Sequence, residues 1–355
     1  MSSPNEIQMA AERARRRIRR TLWTTSLVVL PLLVFVVSQP LITRVQLRWR
    51  GWELGSHAPH ASGTVWVWRE LLHPWFGRVE YVSFYGYGRS RKLQVEDIDR
   101  LRCFPQLDRV TLIASDVSDA ACVALSRHRQ LTSVRIYSSR IDEAGLGHFA
   151  ALPSLTELEF EKMPLGETAI AHISNCKSLE SLKLDRVTVN DEHLAALSAL
   201  PKLKSLRLHD SGTTDRGLEQ VSRCANLAFL DIRQGALTDN SLVILSTHPK
   251  LRSLWLWDCG HGDEHAKTLA RACPPNLDQL MLTGATTTDA ALPHIAGLSK
   301  LRILSLWQVS ISDDGLVPLA SCPSLELLQL VKTGITPSGI AKLQRLTPKL
   351  GIQQQ

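Results

Sequence analysis

No two cysteines of this 355-residue chain form a C-x-x-C pair; the seven present are scattered singly from Cys103 to Cys322. A zinc ribbon or dithiol redox centre is thereby without its motif. Also missing are a G-x-S-x-G nucleophile elbow, a phosphate-binding glycine loop and a dinucleotide glycine pattern. The corresponding enzyme classes, and any cofactor, are not expected. Beyond residue 50 the chain has no excess of either charge. Residues 1–50 hold nine of the 41 basic residues and two of the 34 acidic ones, which accounts for the whole net charge of +7 and leaves 32 of each sign elsewhere. A folded domain without a basic surplus cannot supply the concentrated positive face that phosphate backbones require, so no nucleic acid partner is expected.

What the chain does have is a period. Leucine recurs at Leu107, Leu131, Leu155, Leu179, Leu203, Leu227, Leu251, Leu277, Leu301 and Leu325, in steps of 24 residues with a single step of 26. Each is followed by apolar residues three and five places on, as in Leu203-Lys204-Ser205-Leu206-Arg207-Leu208. Alternation over Leu206 and Leu208 predicts a short strand with one buried face. A hydroxyl residue and an aspartate then precede a second apolar stretch, at Ser118-Asp119, Thr214-Asp215, Thr238-Asp239, Thr288-Asp289 and Ser312-Asp313. That is a helix start, with a capping hydroxyl and a carboxylate at the positive end of the dipole. Gly145, Gly217 and Gly315 fall in the first turn, where glycine costs little. A unit this small cannot bury its own core, so the period predicts a solenoid stabilised by stacking.

These units resemble the leucine-rich repeat superfamily, and within it the cysteine-containing subtype; the chain is also similar to membrane-anchored "I-T-D-x-G-L" repeat proteins of some bacteria. The resemblance spans roughly residues 79 to 350, opening on the degenerate unit Val79 to Phe84 and closing on Leu350-Gly351-Ile352. It departs from the subtype in that only Cys259 follows a strand, whereas Cys176, Cys224, Cys273 and Cys322 precede one. The resemblance implies an α/β solenoid, a horseshoe with a parallel concave sheet and convex helices. Members bind very different partners, so it fixes fold more than function.

A second signal lies before the repeats. Thr21 to Thr43 is a run of 23 residues without charge, enough at ~1.5 Å per residue to span a ~30 Å hydrocarbon layer. Six arginines precede it and three follow closely, which places the N-terminus in the cytoplasm and the repeats outside. Ser38-Gln39-Pro40 offers no small-x-small cleavage site, so the expectation is an uncleaved signal anchor. The chain is thus divided into a basic cytoplasmic tail (1–20), a transmembrane anchor (21–43), a juxtamembrane segment with an N-terminal cap (44–78) and the repeat domain (79–355). Trp66, Trp68, Leu71, Leu72, Trp75 and Phe76 are expected to cover the first repeat.

The cysteines and one histidine motif need separate treatment. Cys176 and Cys224 share a register two units apart, about 10 Å at ~4.8 Å per strand, too far for a disulfide. Cys273 and Cys322 fail likewise, and these four are expected as small buried apolar groups. Pairing of Cys103 with Cys122 stays open. His261, Glu264 and His265 match H-x-x-E-H, the zinc arrangement of inverted metalloproteases. Because Asp263 aligns with the other helix-start aspartates, the helix begins near Gly262 and leaves His261 off the shared face; a metal site is not expected.

Function is then sought on the face that the strands turn outward. Third, fifth and seventh places of L-x-x-L-x-L-x point away from the core. The fifth and seventh places yield two zones. One is of mixed charge, with Glu159, Glu161, Arg207, His209 and Arg233, whose neighbours can either pair with one another or receive a partner. The other is apolar, with Trp255, Trp257, Met281 and Trp307, either packed together or open to a ligand. A protein or peptide is the expected ligand, and a carbohydrate stacked on the same indoles is the alternative. The composite expectation is a membrane-anchored, noncatalytic interaction scaffold. Against it stand an adaptor similar to the leucine-rich receptors of ubiquitin ligases, which the span before the repeats disfavours, and a zinc hydrolase on His261, Glu264 and His265.

Overall fold

The computed structural model describes residues 52–55, 79–85, 93, 95–104, 106–187, 189–260 and 262–355, with backbone alone for 52–55, Cys103 and Glu167. The tail, the 21–43 anchor, the tryptophan-rich cap and His261 lie outside the described residues. Among those described, no helix is long and apolar enough to cross a membrane.

Thirteen strands join in a single sheet whose order follows the chain. From Tyr81–Tyr85 through Arg109–Ile113 to Gly351–Gln354 the pairing is parallel and in register, each residue facing its equivalent in the next repeat, as in Leu206↔Leu230 and Leu230↔Leu254. The exception is Trp52–Gly55, which pairs antiparallel with Tyr81–Tyr85. This strand falls inside the juxtamembrane segment 44–78, where a stretch of four residues ending on glycine carries no periodicity that would mark it.

The strand residues alternate between buried and half-buried along most of the sheet. The buried set forms a continuous column, in which Leu107, Leu131, Leu155, Leu179 and Leu203 are 0% exposed. At ~25 cal/mol per Å2 of apolar surface the core is the main stabilising term, but it is spread along the stack, so each repeat relies on its neighbours. The helical side is less regular than the pattern predicts. Asp314–Ser321 is a 3-10 helix that contains Pro318, a residue without the N–H that an α-helical turn would use. Ala291–Ala296 begins two residues beyond Asp289. The step of 26 residues is absorbed on this side, where Gly262–Arg271 is ten residues long, and Trp255↔Met281 remain in register.

The I-T-D signature has a role that a single repeat cannot reveal. Five aspartates, Asp191, Asp215, Asp263, Asp289 and Asp313, reach into the next repeat and accept twice from its hydroxyl residue. Ser312 donates to Asp289 through its amide at 2.7 Å and its hydroxyl at 2.6 Å. Thr336 does the same to Asp313 at 2.8 and 2.6 Å, and Thr288 to Asp263 at 2.7 Å for both. Thr214 to Asp191 and Thr238 to Asp215 extend the series. Where the hydroxyl residue is replaced by Gly262, Asp239 keeps a buried Oδ1 without a partner. At three of the first-turn glycines the staple leaves no space for a side chain, although Ser241 and Ala291 take the same place beside Asp215 and Asp263. A Cβ at Gly315 would overlap the Asp289 carboxylate, and one at Gly217 or Gly339 would overlap Asp191 or Asp313.

All six cysteines with described side chains are free, and all except half-buried Cys273 are buried. Burial raises their thiols, to about 12 for Cys122 and Cys176 and about 11 for Cys224, Cys259 and Cys273. Cys176, Cys224 and Cys322 are buried as expected, whereas Cys273 is only half-buried; Cys103 has no described side chain, and Cys122 is a free thiol.

Two outcomes test the staple. Gly315→Ala should destabilise the full chain by about 1–3 kcal/mol and cost clearly less in an Asp289→Ala background; equal losses in a denaturant double-mutant cycle would refute the steric account. The Asp215 carboxylate is opposed by burial, yet hydrogen bonds from Ser241 and Thr238 outweigh this and hold it below 3.8. Its depressed value makes its contribution complete above pH ~4 and lost as pH falls through the folded-state pKa. The stability gap between wild type and Asp215→Asn, measured by urea unfolding, should therefore narrow from pH 6 to pH 3.

Candidate functional site

The outward residues of the strands from Ser133–Tyr137 to Leu327–Val331 form one surface, and the structure divides it as the sequence does. In the charged zone the side chains pair across strands. Lys183 Nζ reaches Glu159 Oε1 at 2.6 Å and Asp185 at 3.6 Å, while Arg135 reaches Glu159 at 3.3 Å. Arg186 spans Glu161 and Asp185 at 3.3 and 3.1 Å. Register places Glu159 between Arg135 and Lys183, so those pairs follow directly from stacking; Arg186, just past its strand, bridges the like charges Glu161 and Asp185 that register sets opposite one another. Tyr137, beside Glu159, has its phenol pushed up by burial and by that carboxylate.

His209 sits between two carboxylates. Nε2 lies 2.9 Å from Asp231 Oδ2 and Nδ1 lies 3.4 Å from Asp185 Oδ2. The histidine is 6% exposed and Asp231 3%; both are internal parts of the network. Burial works against the Asp185 carboxylate, but Arg186, Lys183 and His209 outweigh it and hold its pKa below the ordinary value.

The apolar zone is built from two files of rings. Trp257 meets Trp307 edge-on, with centroids 5.1 Å apart, across the intervening strand that carries buried Thr283. The Arg233 guanidinium stands 4.7 Å over the Trp257 ring. Beside this, Trp255 meets Phe229 edge-on at 4.9 Å, and Arg207 covers Phe229 at 4.9 Å. Such edge contacts and cation–ring contacts each contribute ~0.5–1.5 kcal/mol. The three indoles are packed on one another or on Phe229 and also remain half-exposed. The rings are thus packed edge-on and half-exposed at once. The Nε1 atoms of Trp257 and Trp307 are buried without a hydrogen-bond partner.

Of the residues singled out from sequence, Trp255, Trp257, Trp307, Arg207, Arg233, Glu159 and Glu161 lie half-exposed on this face. Met281 is 4% exposed and His209 6%, so these two outward residues are covered by their neighbours on the same face. Phe229, Asp185 and Asp231 belong to the same constellation. Phe229 occupies a third place in its strand, and reading that column along with the fifth and seventh would have found it. Elsewhere, Glu264 pairs with Lys267 at 3.2 Å and His265 is buried in Gly262–Arg271. Among the described residues no group of histidine, cysteine and carboxylate side chains could hold a metal ion.

A parallel in-register sheet on one side, short helices on the other and a 24-residue step define a leucine-rich repeat solenoid. A family model described as "FBD-associated F-box protein At5g56370, LRR repeats" matches residues 148–288. No curated protein matches. Among solved structures, the chain is similar to an internalin (inlF) from Listeria monocytogenes str. 4b F2365, at 16% identity and a TM-score of 0.44, over 80% of this chain and 88% of that one. It is also similar to internalin C2 (inlC2) from the same organism, at 19% identity and a TM-score of 0.33, over 74% and 84% respectively.

Removing the imidazole tests the network. His209→Ala leaves Asp231 buried with Arg207, 3.8 Å away, as its cationic neighbour. Denaturant unfolding of the full chain should show a loss of about 1–3 kcal/mol; an unchanged midpoint would mean the pair is dispensable.

Proposed function

We propose that this protein is a noncatalytic interaction module, anchored in a membrane through residues 21–43, that holds a protein or peptide on the outward face of its sheet. The observation that carries this reading is the pair of half-exposed indoles, Trp257 and Trp307, whose N–H groups have no acceptor. A buried donor left unsatisfied costs ~1–3 kcal/mol, and indoles in folded proteins usually find a partner. A ligand carbonyl that draws the two rings apart recovers this cost and gains ring contact in the same step. Trp255, Arg207 and Arg233 flank the pair, giving the aromatic and arginine composition typical of binding hot spots. The charged zone, paired within itself, serves as a scaffold and rim.

The finer family reading, with the cysteine-containing subtype and the bacterial I-T-D-x-G-L proteins as models, rests on the Asp-to-Thr or Ser staples and the buried cysteines. The repeats are assigned to the extracytoplasmic side from the arginine asymmetry around residues 21–43. The adaptor and zinc-hydrolase alternatives have no observation in their favour: the family-model match lies within the repeats, and Glu264 is engaged by Lys267.

The test is capture from membrane extract by the tagged full chain. Trp255→Ala with Trp257→Ala should remove the proteins specifically retained and shift the melting temperature by only a few degrees; retention unchanged in a folded variant would reject the site. Reporter fusions at each end test the anchor, with a C-terminal reporter active on the cytoplasmic side counting against it.

A further inference from the structure

One column of side chains falls outside everything above. Immediately before the first leucine of successive repeats stand Lys202, Asn226, Lys250, Asn276, Lys300, Ser324 and Lys349. Lysine and a small polar residue alternate strictly over the C-terminal half. The same column in the N-terminal half reads Gln106, Gln130, Ser154 and Ser178, without charge. No acidic residue occurs in it anywhere, although the chain beyond residue 50 is neutral overall. Stacking alone does not require this pattern, since four repeats do without it.

The lysines are positioned without being neutralised. Asn226 donates to the Pro201 carbonyl at 2.6 Å and offers Oδ1 to Lys250 Nζ. Asn276 donates to the Pro249 carbonyl at 2.8 Å, and Lys300 Nζ reaches Asn276 Oδ1 at 3.3 Å and the Pro275 carbonyl at 2.5 Å. Among the described residues, no carboxylate lies within ion-pair distance of Lys202, Lys250, Lys300 or Lys349. The next column inward behaves oppositely. Lys204 pairs with Glu180 at 2.8 Å, Arg252 with Asp278, and Arg302 with Glu326 at 2.7 Å. A self-neutralised row therefore lies beside a row of four exposed ammonium groups. Lys250, Lys300 and Lys349 line a groove of about 920 Å3 whose wall includes Pro249, Pro323 and half-buried Leu325 and whose floor carries the paired Arg252, Asp278, Arg302 and Glu326.

The spacing selects the occupant. Lysines on every second strand are about 9.6 Å apart, twice the ~4.8 Å between stacked strands. A polyproline-II chain advances ~3.1 Å per residue with three residues per turn, so every third side chain returns to the same side after ~9.3 Å. We infer that this groove binds an acidic segment of a protein partner in polyproline-II conformation, with a carboxylate at every third residue meeting Lys250, Lys300 and Lys349. The lining sets five cations, Lys250, Arg252, Lys300, Arg302 and Lys349, against two carboxylates already paired with arginine, Asp278 and Glu326, which favours an acidic occupant. A flat lipid surface would not enter the groove, and the phosphates of a duplex strand, turning once in about 10 nucleotides, do not return to one side at every third position.

Fluorescence polarisation of a labelled peptide of four Glu-Pro-Pro units, titrated with the full chain in detergent at low salt, tests the proposal. Lys250→Gln, Lys300→Gln and Lys349→Gln combined should weaken binding at least about tenfold, while Lys204→Gln, already paired with Glu180, should leave it unchanged. A peptide of the same composition with its glutamates contiguous should bind several-fold more weakly. Far-UV circular dichroism melts confirm that the variants fold. Equal binding by wild type and the triple variant, equal binding of the two peptides, or tighter lysine-dependent binding of phosphatidylserine vesicles or an oligonucleotide would each overturn it. The Trp255→Ala, Trp257→Ala variant should bind the peptide normally, which separates this groove from the indole face.

Discussion

The carboxylate that crosses from one repeat to the next carries the architecture. Each repeat contributes a strand, a short helix and a slice of core, none able to stand alone. Register on the sheet side comes from backbone hydrogen bonds, which would tolerate slippage along an alternating leucine pattern if nothing else intervened. The aspartate staple fixes the other side. One side chain accepts from both the amide and the hydroxyl of the following turn, as Asp289 does from Ser312, and so locks the helical face in step with the strands. At Gly217, Gly315 and Gly339 the carboxylate occupies the space that a Cβ would need, whereas the Asp215 and Asp263 staples stand beside Ser241 and Ala291.

On that scaffold the outward columns are free to vary, and their variation divides the surface. Charged residues of opposite sign stacked in register neutralise one another in the middle of the sheet, with His209 held between Asp185 and Asp231. Toward the C-terminal half the columns switch to rings and guanidinium groups. Half-exposed indoles there are stabilised by mutual edge contacts, which keeps their orientation defined without burying them.

Much of this was legible before the structure. Leucines 24 apart located the parallel strands, and the fifth and seventh columns located Trp255, Trp257 and Trp307. Met281 and His209 were read as surface groups because the pleat alone assigns direction. Whether an outward side chain is covered depends on the size of its lateral neighbours, and both residues sit next to larger or paired ones. Phe229 was overlooked because one outward column was left unread. The purpose of the aspartate and of the glycine could not be seen from within one repeat, since the contact that explains each lies in the adjoining one. The strand Trp52–Gly55 carries no periodic signal at all; its pairing with Tyr81–Tyr85 is a property of the sheet edge.

The alternation of asparagine or serine with lysine gives the stack a hidden parity. Although every turn of the solenoid looks equivalent in its leucines, the relay from Pro201 through Asn226 to Lys250, repeated from Pro249 through Asn276 to Lys300, makes two turns the true structural repeat of the C-terminal half. Duplication or loss of a single turn there would set lysine against lysine and leave an amide without its ammonium. Lengthening by two turns preserves the phase, so descent by copying would favour growth in even numbers.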